Sequence, residues 1–270
     1  MIPVTVQQGT SPIILGQPHC GTYLPDDIFG QLNENGRQLL DTDWHVDQLY
    51  DGVFKPASIV RANFHRYVID ANRDPSGQSL YPGQNTTGLV PIIDFENKPI
   101  WRVDPTHEQI EKRRAQFHAA YHDALAKEVD RVKAIHGIAV VYDCHSIRSA
   151  LPFLFDGVLP DLNIGTNNGT TCSAALERAV DQICAASEQF SSVLNGRFKG
   201  GWTTRHYGNP KSGVHAIQME IAQSCYLSSE APPFEFDPTK ATRLRAILEK
   251  ILRQIDEIAR HTVLEETAND

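Results

Sequence analysis

Gly137-Ile138-Ala139-Val140-Val141-Tyr142-Asp143-Cys144-His145-Ser146 is the stretch on which the fold turns. Ile138 to Tyr142 is an unbroken apolar run of strand length, which suits the centre of a sheet covered on both faces. Directly before it, Thr106 to His136 reads as a long helix. Thr106 and Gln109 form a capping box. Ile110, Phe117, Tyr121, Leu125, Val129 and Val132 recur at intervals that make one helical face, and Gly137 ends the helix at the C′ position. A long amphipathic helix running straight into a fully apolar strand is the signature of an α/β protein.

Reading outward, Pro12 to Leu15 is a short buried strand ending at Gly16, Asp41 to Asp51 reads as helical turns, and Ser58–Ala62 and Tyr67–Asp70 read as strands. Asp74 to Pro105 is loop-like, punctuated by Pro75, Gly77, Pro82, Gly83, Gly88, Pro91 and Pro99; a loop of that length is usually functional or held by its own packing. Thr171–Ala186 reads as a helix and His215–Ile221 as a strand. Asp237-Pro238 opens a last helix with Leu244, Ile247, Ile251, Ile255 and Ile258 as its buried face. Helix–strand alternation with some strand–strand steps predicts an α/β sandwich on a mixed sheet, with residues 1–270 as one domain. In such sheets chemistry collects beyond the strand ends.

Composition narrows the function. The 270 residues include 25 Lys+Arg against 33 Asp+Glu, a net charge of −8, and are 41% hydrophobic. A core is available, and nonspecific binding to nucleic acid or anionic lipid is disfavoured. No apolar run approaches the roughly 20 residues of a membrane span, and Met-Ile-Pro-Val-Thr-Val does not read as a signal peptide. Cys20, Cys144, Cys172, Cys184 and Cys225 are scattered without a C-x-x-C pair. Neither a disulfide framework nor a thiolate zinc site is expected, and a reducing cytoplasm fits.

Five constellations carry chemistry. His19, in Pro18-His19-Cys20-Gly21, and His145, in Asp143-Cys144-His145-Ser146, each follow a strand and point toward the crevice. Two such histidines and a carboxylate make the donor set of a catalytic zinc site with one open position; the plainer alternative is that each caps its turn. Asp41, Asp43 and Asp47 all compete for the carboxylate, with Asp43 favoured, and His45 is read as structural. Arg66 and Asn72-Arg73 flank the third strand; a guanidinium with an adjacent amide suits a carboxylate ligand, against the alternative of an ion pair from Arg73 to Asp70 or Asp74. Gly200 to Gly208 reads as a substrate-facing loop carrying Thr203, Thr204 and Arg205. Glu220 lies in an apolar strand, where an unpaired carboxylate is costly, so it is either a proton acceptor beside activated water or exposed on an edge. His118 and His122 lack the Glu of a zinc-binding helix and are expected at the surface or core edge. Cys144 is poorly placed for activation by His145, because neighbours on a strand point to opposite sides.

Taken together and in order, Pro18-His19-Cys20-Gly21-Thr22, Asp41-Thr42-Asp43-Trp44, Arg66 with Asn72-Arg73, Asp143-Cys144-His145-Ser146, Gly201 to Gly208 and Gln218-Met219-Glu220 resemble the N-formylglutamate amidohydrolase family. The resemblance runs from about residue 10 to about residue 225. Cys20 stands where the family commonly has Ser. Thr22 replaces the acidic ligand that zinc carboxypeptidases place three residues after their first histidine. The resemblance implies a three-layer, zinc-carboxypeptidase-like fold and hydrolysis of N-formyl-L-glutamate to L-glutamate and formate. It implies one divalent metal, zinc foremost, on His19, Asp43 and His145. Glu220 would be the proton acceptor and Arg66 the carbonyl polariser. Asn72-Arg73 would bind one substrate carboxylate, and Arg205, aided by Thr203 or Thr204, the other. The rival expectations are a deacylase of another N-acyl acidic amino acid, a non-catalytic acidic-amino-acid binding module and, as the remotest, a cysteine hydrolase.

Overall fold

The computed structural model describes the backbone of residues 2–268 and the side chains of residues 2–261. Seven strands form one sheet: β1 (Val4–Gln7), β2 (Ile13–Gln17), β3 (Ser58–Ala62), β4 (Ala139–Ile147), β5 (Leu162–Gly165), β6 (Ser192–Leu194) and β7 (Val214–Ala222), in the order β1-β3-β2-β4-β7-β5-β6. β3, β2, β4 and β7 run parallel, while β1 and β5 enter antiparallel, so the sheet is mixed. The helices are α1 (Asp26–Phe29), α2 (Val46–Tyr50), α3 (His107–Arg113), α4 (Ala119–His136), α5 (Ala174–Ala185), α6 (Trp202–Tyr207) and α7 (Pro238–Ala268).

The period of two along the central strands decides which layer each residue meets. On one face Ile13, Leu15, Val140, Tyr142, Cys144, Ile217, Met219 and Ile221 pack under α2, α5 and α7. On the other, Ile14, Ala139, Val141 and Ala216 pack under Phe117, Tyr121, Leu125, Val129 and Val132 from the segment ending in α4. The result is a three-layer sandwich. Ile251 is fully buried between α7 and the sheet. Ile251→Ala is expected to cost about 2–5 kcal/mol, read as a lower urea midpoint at unchanged slope.

The capping box of Thr106 and Gln109 forms as the sequence predicts, and Gly137 ends α4 at φ 73°. Between α3 and α4, however, Arg114–His118 makes one π turn. Asp237 Oδ1 caps α7 by accepting from the backbone N–H groups of Thr239 and Lys240. The buried ridge of α7 is Leu244, Leu248, Ile251, Leu252, Ile255 and Ala259, with Ile247 and Ile258 at its margin.

Three local expectations change. Tyr67–Asp70 is not a strand: residues 66–68 turn, with the Val68 N–H on the His65 carbonyl, and Tyr67, Val68 and Ile69 are buried by packing against the second core rather than by strand pairing. Gly200–Gly208 is not an open loop but carries α6. Asn72 Oδ1, distant in sequence, accepts the first-turn N–H of Thr203 and so supplies a cap that no local residue does. Finally, β4 runs on to Ile147, so His145 lies inside the strand, paired in register with Glu220 of β7.

Candidate active site

The α4-facing side of β4 and β7 changes character along its length. It begins apolar, at Ala139, Val141 and Ala216, and becomes polar at Asp143, His145, Gln218 and Glu220, all nearly inaccessible to solvent. Parallel register sets Asp143 beside Gln218 and His145 beside Glu220. Polar groups so buried need partners or a ligand. β7 is flanked by β4 and β5, which removes the alternative that Glu220 sits on an exposed edge.

His19 leaves the end of β2, and its carbonyl accepts the backbone N–H of Asp43. The turn bearing Asp43 is further held by Gln223 Nε2 on the Thr42 carbonyl (2.9 Å) and Tyr226 Oη on the Trp44 carbonyl (2.7 Å). His19, Asp43 and His145 thereby converge. The two Nδ1 atoms are 3.2 Å apart, His145 Nδ1 is 3.2 Å from Asp43 Oδ2, and His19 Nδ1 is 3.8 Å from the same oxygen. A tetrahedral ion with bonds of roughly 2.0–2.2 Å separates its ligands by about 3.3–3.6 Å, so the group can hold a metal ion.

The outer nitrogens support that reading. His19 Nε2 donates to Asp70 Oδ1 at 2.7 Å, and His145 Nε2 is 3.0 Å from Asp143 Oδ2. A carboxylate on the outer nitrogen fixes the tautomer and leaves the inner lone pair for an ion. Asp43 is the one aspartate of its segment that reaches the histidines. Asp41 is occupied by Tyr67 Oη, the Phe95 N–H and Arg148, and Asp47 pairs with Arg61. His45 donates to the Phe234 carbonyl, a structural role.

Charge is lopsided here. Burial opposes ionisation of Asp70, but Arg73, His19 and Arg66 outweigh it and hold its carboxyl well below the usual range. Burial likewise opposes a charge on His145, yet Asp143, Asp43 and Glu220 raise its pKa well above normal. Burial and then the Arg66 guanidinium lower that of His19, against Asp70 and Asp43. Burial pushes the Glu220 carboxyl up to about 7, His145 and Arg66 opposing and Asp43 and Asp143 reinforcing. Four carboxyl groups against the guanidinium groups of Arg66 and Arg73 make a site that favours a divalent cation.

A cavity of about 570 Å³, its open mouth included, lies over this cluster, within the range of small-molecule sites. His19, Arg66, Asn72, Arg73, His145 and Glu220 all line it. Arg66 donates to Asp43 Oδ1 at 2.5 Å and lies over the Phe95 ring. Asn72 Nδ2 is 3.0 Å from His145 Nε2. Gly201 is required for this approach, since a Cβ there would come 2.3 Å from Asn72 Nδ2. Gln218 accepts the Gly201 N–H at 2.7 Å and donates to Glu220 Oε2 at 3.1 Å.

A family model for N-formylglutamate amidohydrolase matches residues 11–227. The chain belongs to the N-formylglutamate amidohydrolase family. It is 43% identical over 255 residues to a Pseudomonas aeruginosa protein named N-formylglutamate deformylase, covering 92% of this chain and 96% of that one. A protein of the same name from Pseudomonas putida is 42% identical, with 93% and 95% covered. Among solved structures, N-formylglutamate amidohydrolase from Ralstonia eutropha JMP134 superposes with a TM-score of 0.81 at 25% identity over 97% of this chain and all of that one. A gene product of Agrobacterium tumefaciens shares the fold, with a TM-score of 0.73 at 17% identity over 96% of each chain.

Within this family frame, the geometry does not bring every candidate residue to the cavity. Thr203 and Thr204 are fully buried, and Thr204 Oγ1 lies 3.4 Å from Asp143 Oδ2. Arg205 donates to the Gly200 and Leu80 carbonyls and covers the Tyr81 ring. None of the three lines the cavity. The alternative raised for Arg73, an ion pair with Asp70, does form, at 3.5 Å, alongside bonds from Arg73 to Thr87. His118 and His122 are buried rather than superficial. Their Nε2 atoms donate to the Arg73 and Ala71 carbonyls and so clamp Asn72 from both sides. Cys144 faces the opposite core and donates to the Tyr142 carbonyl; burial drives its thiol far above the normal range, which removes it as a nucleophile.

Sequence reasoning gave no functional role to Asp70, Asp143, Gln218 or Arg197. The first two stood in plain view, within the Arg66–Arg73 run and two residues before His145. Asp70→Asn is expected to weaken metal binding about 10- to 100-fold, measured by competition with a chromogenic chelator.

Proposed function

We propose that this chain, acting as one domain over residues 1–270, hydrolyses N-formyl-L-glutamate to L-glutamate and formate. The observation that carries the reading is the convergence of His19, Asp43 and His145 beneath a cavity that Arg66, Arg73 and Glu220 line. These residues fit one divalent ion, and the nitrogen and carboxylate donors suit zinc. Bound there, the ion would lower the pKa of a coordinated water toward about 7 and act as a Lewis acid.

The chain's own residues do the rest. Glu220, held by Gln218 and with its carboxyl pushed up to about 7, takes the proton of the attacking water and returns it to the departing amine. Arg66 faces the developing negative charge on the formyl oxygen. Asn72 and Arg73 receive the substrate's α-carboxylate: Arg73 donates from Nε, Nη1 and Nη2 to Thr87 and the Asn72 carbonyl and pairs through Nη1 with Asp70, so its second Nη2 N–H is the one turned to a ligand. The unpaired, scattered cysteines suit a cytoplasmic setting.

The test is an assay of the purified chain on N-formyl-L-glutamate, N-formimidoyl-L-glutamate and N-acetyl-L-glutamate. Stoichiometric formate and L-glutamate, with preference for the formyl compound, are expected. Faster release of acetate or of formamide would reassign the acyl group. No turnover on any of the three would leave only a binding module.

A further inference from the structure

Resting on the reading above, we propose that Arg197 receives the substrate's second, side-chain carboxylate and thereby selects N-formyl amino acids with an acidic side chain. A doubly negative substrate needs two positive grips, and Arg205 lies outside the cavity. Arg197, which follows β6, lines it. Its guanidinium lies between two aromatic rings, 5.6 Å from the Tyr81 centroid and 5.4 Å from that of Phe198. Nε donates to the Leu154 carbonyl and Nη2 to the Asn85 carbonyl, both at 2.9 Å. Two of its five N–H groups are thus committed among the described residues, and the rest are free for a planar carboxylate.

The surroundings match the substrate's shape. Ile147, Leu154 and Phe198 form an apolar wall in the same cavity, suited to the methylene groups between the two carboxylates. The same cavity holds His19, His145, Arg66 and Glu220. Burial, and next to it the charge of Arg73, disfavour the charged form of Arg197, against Tyr81 and Glu220. Arg66 and Arg73 line the same cavity, and the charge of Arg73 disfavours that of Arg197, a repulsion that a bound carboxylate would relieve.

The experiment compares kcat/KM on N-formyl-L-glutamate with that on N-formyl-L-glutamine, which replaces the carboxylate by a carboxamide of the same shape. In Arg197→Gln the glutamate-over-glutamine ratio is expected to fall about 10- to 100-fold, mainly through KM for the acidic substrate. Arg197→Lys, which keeps the charge without the fork, should retain part of the preference and serves where the Gln variant fails to fold. A residue that only anchors Asn85 and Leu154 would depress both substrates alike. A ratio within threefold of wild type, or a wild type without preference, overturns the proposal. A wild type inert on both compounds overturns the function itself, a separate outcome.

Discussion

Glu220→Gln is expected to lower kcat on N-formyl-L-glutamate by about 10²- to 10⁴-fold, the usual contribution of a positioned proton-transfer group, with the metal still bound. Glu220 is not among the converging donors, so its loss leaves His19, Asp43 and His145 intact. The amide keeps the size of the side chain and can still meet Gln218, but it cannot accept a proton. In the wild type, burial pushes this carboxyl up to about 7. The working form is the ionised one, so kcat/KM should fall as pH drops through that region. A cation seated nearby favours the carboxylate, which places the acid limb at or below about 7. Full activity in Glu220→Gln with metal retained would remove Glu220 from proton transfer.

Much of this site was legible because its residues sit where local pattern is strong. Thr106, Gln109 and Gly137 fix the ends of a long helical stretch through short-range hydrogen bonds and φ preference, and those features are local. Ile138 to Tyr142 announces a central strand through its uninterrupted apolar character. His19 is legible as a candidate because it stands in a tight turn beside Gly21, and Asp43 as one of three closely spaced aspartates, though only the fold shows that Asp41 and Asp47 are spent on Tyr67, Phe95 and Arg61.

What was not legible depends on distant partners. Tyr67, Val68 and Ile69 look like a strand because β-branched and aromatic residues satisfy the pattern of a buried strand whatever buries them. α6 was hidden because its cap comes from Asn72, roughly 130 residues earlier. The strand β4 continues through Asp143 and His145 because β7 pairs with it throughout; polar side chains interrupt the apolar run without interrupting the backbone ladder. Arg205 and Arg197 are indistinguishable by composition. The fold separates them: Arg197 lines the cavity and Arg205 does not, although the Tyr81 ring lies near both guanidinium groups.

His145→Ala is expected to abolish both metal content and activity. Of the three donors, His145 is the one on the central strand, and its Nδ1 is 3.2 Å from each of the other two donor atoms. Removing it leaves two protein ligands where a catalytic zinc site uses three. Metal analysis should fall from about one equivalent per chain to background, and turnover should drop by at least 10³-fold, as expected when a cation that activates water is lost. A chelator should reproduce the loss in the wild type, and added zinc should restore it. Stability supplies an independent readout. A ligand that binds only the folded state raises the melting temperature by mass action, so zinc should raise Tm of the wild type and leave that of His145→Ala unmoved. The substitution also withdraws the imidazole from between Asp43 and Asp143. Both carboxylates then lose a shared partner in a site already rich in negative charge. A variant that keeps its metal and more than a tenth of its activity would show that the ion, if required, is held elsewhere.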